Sequence, residues 1–134
     1  MVIADSGFCT EAFLIGMRRS GAGVVVRHHG GVGLTRLGER QDCGHTGTGR
    51  VYQTRVRHAE TAWEFRLVEV ELDRPTHEGH GTIGVLTDVA EDALSAVQVA
   101  ATPGGPSRAR PKSWRRACAA RWRRWRTRRR RCSA

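Results

Sequence analysis

The chain has 134 residues, room for one small domain. Its net charge of +10 is unevenly spread. Residues 1–100 hold 10 Arg and all 13 acids, a net of −3, whereas residues 101–134 hold 12 Arg, one Lys and no acid, a net of +13. That C-terminal stretch also lacks Leu, Ile, Val, Phe and Tyr, so it has nothing from which to build a core of its own. The charge therefore describes a basic tail attached to a mildly acidic body. No apolar run approaches the roughly 18 residues of a membrane span. Met1-Val2-Ile3-Ala4-Asp5 lacks the basic start and apolar stretch of a secretory signal. The expected compartment is the cytoplasm, where Cys9, Cys43, Cys118 and Cys132, being widely spaced, read as free thiols.

In chain order, Met1 to Ala4 reads as the end of a buried strand, closed by a turn at Asp5-Ser6-Gly7. Phe8, Ala12, Phe13, Ile15, Gly16 and Met17 recur at roughly helical spacing, with Thr10 as the cap of a helix to about Arg19 and Ser20-Gly21 as its stop. The β-branched run Gly23–Arg27 predicts a second strand, giving an α/β unit with parallel strands. Residues 29–50 are rich in Gly and read as a long connection with weak strands. Alternation then predicts strands over Arg50–Arg57, Glu64–Leu72 and Thr82–Thr87, an antiparallel meander with one wet face. Asp88 is expected to cap a helix to about Ala101, with Ala93, Leu94, Val97 and Ala101 along one side, and Pro103-Gly104-Gly105-Pro106 ends regular structure.

Several residue groups could carry chemistry. Cys43-Gly44-His45 and His77-Glu78-Gly79-His80 match no zinc spacing and read as exposed loop side chains. Gly21-Ala22-Gly23 and the glycines of 44–49 open no helix with Gly-Lys-Ser/Thr, so neither is a phosphate loop. Glu69 and Glu71 share a strand face and read as solvated carboxylates rather than an acid/base pair. Asp5 stands out because it follows an apolar strand at its C-terminal end, where α/β folds place their sites, although the spacing alone favours a simple turn at Asp5-Ser6.

Taken together, Val2-Ile3-Ala4-Asp5-Ser6-Gly7-Phe8-Cys9, a helix, and Gly23-Val24-Val25-Val26-Arg27-His28-His29-Gly30 resemble the DDE-type transposases of the insertion-sequence-four family. Val51-Tyr52 through Val70-Glu71-Leu72, Pro75-Thr76 and Ile83-Gly84-Val85-Leu86-Thr87-Asp88-Val89 resemble the β-rich segment before that family's last catalytic motif. The resemblance covers about residues 1–100. It implies a partial RNase-H-like α/β core (1–101) with a β-rich insertion at about 30–88, and a disordered or helical basic tail (102–134). It implies DNA as the partner, with no membrane and no small-molecule substrate. The activity it implies is DNA transposition, by hydrolytic cleavage and strand transfer around two Mg²⁺ ions that the family holds with Asp, Asp and Glu.

Asp5 matches the second Asp of that triad, as catalytic residue and metal ligand; Ser6 stands where Arg is usual. No residue here matches the first Asp or the Glu. The chain alone is therefore expected to be an inactive C-terminal fragment that does not bind the metal. The abrupt change of composition after Ala101 fits a reading-frame slip, since Pro106-Ser107-Arg108 read one frame over permits the missing Ile-Glu. A competing reading is a small non-catalytic nucleic-acid-binding protein. In it Arg115, Arg116, Arg121, Trp122, Arg123, Arg124, Trp125 and Arg126 neutralise phosphates and stack on bases.

Overall fold

The computed structural model describes residues 1–102; the basic tail, with every tail residue singled out above, lies outside them. Seven strands form one sheet: β1 (Val2–Ala4), β2 (Val24–His28), β3 (Leu34–Arg36), β4 (Gln41–Thr46), β5 (Gly49–His58), β6 (Glu64–Leu72) and β7 (Thr82–Thr87). Their order is β1-β2-β7-β6-β5-β3, with β4 also on β5. Helices α1 (Glu11–Arg19) and α2 (Ala96–Ala100) complete a mixed, strand-rich α/β fold.

The first unit forms as its residues predict. Val2, Ile3 and Ala4 pair in parallel with Val24, Val25 and Val26. Between them, the Thr10 hydroxyl caps α1 by accepting from the Phe13 N–H, Glu11 lies in the helix's positive first turn, and Arg18 and Arg19 lie in its negative last turn. β2 then pairs antiparallel with β7, Val26 opposite Leu86, and this join makes the early unit and the later meander one continuous sheet.

Side-chain alternation sends the apolar residues of the sheet to two sides. On one, Val24, Val26, Val56, Phe65, Leu67 and Leu86 pack with Leu14 of α1, and Phe13, Met17 and Trp63 close the margin. On the other, Val25, Val51, Val68, Val70 and Val85 pack under Ala96, Val99 and Ala100 of α2. The expected meander over β5–β7 is present, but it is not wet along one whole face. Each face is apolar for part of its length, because the helices cover different ends.

Two expectations need correction. No helix starts at Asp88. Residues 91–93 turn, and α2 is a five-residue helix capped by Ser95, whose hydroxyl accepts from the Gln98 N–H while the Gln98 side chain accepts from the Ser95 N–H. The Asp88 carboxylate accepts instead from the Val24 N–H at 2.7 Å, so it fastens the end of β7 to the start of β2. The 29–50 connection is also more ordered than its glycines suggest. β3 and β4 line the same edge of β5, with Thr35 opposite Arg57 and Gln41 opposite Gln53. A register shift in β4 falls between Asp42 and Gly44, where Gly44 takes φ +108°, a conformation that favours glycine. Cys43 and His45 thus lie in a strand rather than a loop. Gly49 is required for a different reason: a Cβ there would sit 2.0 Å from the Glu71 carbonyl oxygen.

Candidate functional site

Asp5 stands where β1 ends. Its carboxylate caps the short 3-10 turn Ser6–Phe8 by accepting from the Ser6 N–H at 2.8 Å. Nearby, Cys9 is buried at 1% exposure, and burial pushes its thiol up; its hydrogen bond to the His29 backbone opposes that shift. The thiol is thus a packing residue with little thiolate character.

Glu69 and Glu71 do share a face, as their spacing predicts, but they are not simply solvated. Arg36 and Arg40 reach Glu69 at 2.9 and 3.3 Å, Arg40 reaches Glu71 at 2.6 Å, and the Arg40 guanidinium lies 3.7 Å over the Tyr52 ring. Two carboxylates held by two arginines are a cross-strand clamp between the β3–β4 edge and β6, not an acid/base pair poised for proton transfer. Asp42 is held below the usual carboxylate range by the Gly44 N–H and by Arg50; Glu64 is lowered by Arg55 and Arg57. His45 bonds Asp73 at 3.2 Å, and His77 and His80 stand exposed in the β6–β7 turn.

Two magnesium ions would need several carboxylates converging on one point. Among the described residues, no three His, Cys, Asp or Glu side chains form a group that could hold a metal ion. Asp5 at the end of β1 and the arginine-held Glu69 and Glu71 do not come together in such a group. The donor set described does not fit the two-ion arrangement that the resemblance implies.

Two polar constellations were not evident from sequence spacing. His58, 3% exposed at the end of β5, receives the Thr61 N–H on Nδ1 at 3.2 Å, lies 2.8 Å from the Thr61 hydroxyl, and faces Glu11 through Nε2 at 3.2 Å. A backbone donor on Nδ1 leaves Nε2 as the protonated nitrogen in the neutral ring, so Nε2 donates to the Glu11 carboxylate. The Thr61 hydroxyl also accepts from the Trp63 N–H, and Ala62 adopts a left-handed φ of 57°. The trio resembles a hydroxyl–imidazole–carboxylate relay, but every contact serves to close the β5–β6 turn and dock it on α1. The second constellation centres on Arg66. Its guanidinium donates to the Val89 carbonyl at 2.9 Å, the Gln53 side-chain oxygen at 2.8 Å and the Leu94 carbonyl at 2.6 Å. Gln53 in turn donates to Glu91 at 3.2 Å. Burial lowers the Arg66 guanidinium, and Glu91 opposes that. Arg66 forms part of the wall of a groove of about 410 Å³ whose other walls are residues 37–39 and 87–91.

His28 supplies a pH-dependent element. Its Nε2 is buried with no hydrogen-bond partner among the described residues. Burial holds the imidazole below its ordinary 6.5; the Val32 backbone and Glu69 pull it upward, and His29 adds to the lowering. The unfolded chain therefore takes up this proton first as pH falls. The His28 contribution to stability is present above about pH 6.5 and is lost as pH drops toward the depressed folded value. Thermal melts between about pH 7.5 and 5.5 are expected to show this loss, and a smaller loss in His28→Gln. An identical pH slope in that variant would remove His28 as the cause.

No protein-family model, curated protein or solved structure matches this chain. Among the described residues no helix is long and apolar enough to cross a membrane.

Proposed function

We propose that this chain is a piece of a DDE-type transposase core that keeps DNA as its partner and has lost the chemistry of transposition. The observation that carries this reading is the β1–α1–β2 unit with parallel strands and Asp5 at the C-terminal end of the first, followed by an antiparallel β-rich segment. On this reading β1 and β2 are two strands of an RNase-H-like core, β3–β7 correspond to the insertion, and Asp5 is the second of three carboxylates. Hydrolysis of a phosphodiester requires the incoming water and the leaving oxygen to be held by two ions together. One matching carboxylate cannot position both.

The purified chain is therefore expected to show no strand cleavage or joining with Mg²⁺ or Mn²⁺. Cleavage of a DNA substrate that depends on metal and is lost in Asp5→Ala would overturn the inactive reading. The origin is tested separately, in the DNA around the reading frame. A strand bearing the first Asp encoded upstream, and an Ile-Glu motif one frame away near Pro106, are expected.

A second reading is favoured by one specific observation, the division of charge between a body at −3 and a tail at +13. In it, the protein is a small non-catalytic polyanion binder that works through the tail. Loss of all nucleic-acid binding on removing the tail, with no transposase-like sequence around the reading frame, would favour this second reading over the first.

A further inference from the structure

The groove beside Arg66 has walls of unequal charge. Glu39, Glu64, Asp88 and Glu91 line it against Arg55 and Arg66. The two arginines are already engaged: Arg55 pairs with Glu64, and the Arg66 fork is filled by two carbonyls and Gln53. Glu39, Asp88 and Glu91 enter none of the ion pairs found among the described residues, nor does Asp92, the exposed residue after Glu91. The concave surface that remains is a hydrogen-bonded floor with a negative rim, shaped for guanidinium or ammonium groups, which carboxylates bind through charge-assisted hydrogen bonds.

The chain itself carries such groups a short way beyond the described body. The carbonyl of Leu94, held by Arg66, immediately precedes the Ser95 cap of α2, and α2 is only five residues, about 8 Å, long. The chain therefore leaves the described body about one short helix away from the groove. The next residues, Pro103-Gly104-Gly105-Pro106-Ser107, carry no charge and span at most about 17 Å when extended. Arg108, Arg110 and Lys112 follow, the first of 13 cations with no acid among them. A tether of this length corresponds to an effective concentration of about millimolar for its cations at the groove.

We propose that the groove bounded by Glu39, Arg66 and Glu91 is the docking surface of the chain's own basic segment, beginning with Arg108–Lys112. A nucleic acid that takes up the same cations competes with this contact, so the body acts as a weak internal substitute for phosphate. The body–tail contact is independent of whether the chain descends from a transposase, and its test reads the contact directly.

Lys112 is the single lysine of the chain, so its zero-length carbodiimide cross-links to carboxylates report where this segment rests. In dilute full-length protein at low salt, Lys112 is expected to join Glu39, Glu91 or Asp92 within one chain. Those links should fall several-fold when duplex DNA is added, and the Asp92 link should fall likewise in the double variant Glu39→Gln, Glu91→Gln, which removes rim charge and leaves the Asp92 carboxylate able to react. The single variant Glu39→Gln, on an exposed loop, should keep its fold and lower the links to Glu91 and Asp92. Three results would each overturn the proposal: links from Lys112 spread evenly over Glu60, Glu71 and Glu78, links only between separate chains, or no links at all. Tail binding to DNA would survive any of these results, so the two ideas fail separately.

Discussion

Duplex-DNA affinity of the full-length chain is expected to fall by more than about a thousandfold between 50 and 200 mM salt, with a slope of log K against log salt near about −6. Each phosphate neutralised contributes roughly −0.9 to the slope, and the figure corresponds to about half of the tail's 13 cations engaging at once. The body at −3 adds repulsion rather than affinity. Arginine contacts to phosphate position a protein without reading bases, so two unrelated duplexes should bind alike. The tail tryptophans, Trp114, Trp122 and Trp125, should favour single strands, where exposed bases can stack. The check is a salt titration of the full chain and of a variant with Arg121, Arg123, Arg124 and Arg126 changed to Gln. A salt-insensitive, sequence-selective affinity that survives those changes would place binding on the folded body instead.

Leu86→Ala is expected to destabilise the fold by about 2–5 kcal/mol. Leu86 is fully buried near the C-terminal end of β7, opposite Val26 on β2 and Leu67 on β6, and its side chain belongs to the cluster under α1. Truncation leaves a hole at the junction of the parallel unit and the meander, where two elements must shift together to fill it. Against a total stability of about 5–15 kcal/mol, the loss is large enough to leave a substantial unfolded fraction. The measure is the urea midpoint, with an unchanged slope confirming that only stability has moved. A loss under about 1 kcal/mol, within the ordinary range of a point substitution, would contradict the packing described for β7.

Much of the fold can be read from local pattern. Glu64–Leu72 and Thr82–Thr87 are strands within the bounds that alternation predicts, and Thr10 caps α1 as its position before Phe13 suggests. The misreading of residues 88–95 has a physical cause. An Asp ahead of Ala93, Leu94 and Val97 is a sound helix signal, but the Asp88 carboxylate satisfies a β2 N–H that lies 64 residues earlier in the chain. Arg66, from a neighbouring strand, then takes the Val89 and Leu94 carbonyls. Long-range hydrogen bonds of this kind leave no trace in a sequence window. The β3–β4 edge was hidden for a similar reason, since its pairing is supplied by β5 and by the arginine–glutamate clamp rather than by its own apolar content.

The candidate site was legible only in part. Asp5 lies at a strand end, as its neighbours predict, but whether other carboxylates approach it depends on tertiary placement. Glu69 and Glu71 show the converse: their shared face was readable, while their capture by Arg36 and Arg40 was not. The groove is assembled from residues 37–39 and 41, 53 and 55, 64–66 and 87–91, so no contiguous motif could have announced it.

The join between β2 and β7 has a consequence for how the molecule assembles. β5, β6 and β7 follow one another along the chain and can pair as successive hairpins. β2 can take its place only after a loop of more than fifty residues has closed, since Val25 meets Thr87. β1 has a still later role, because its strand partner among the described residues is β2. Nucleation in the meander, followed by addition of the N-terminal unit, is the order that loop-closure entropy favours. The same order run backward makes β1 and Asp5 the part of the sheet that opens first, so the backbone amides of β5–β7 should outlast those of β1 in solvent exchange. Until β7, the last strand of the sheet in chain order, has been made, β1 and β2 thus have only each other as strand partners among the described residues.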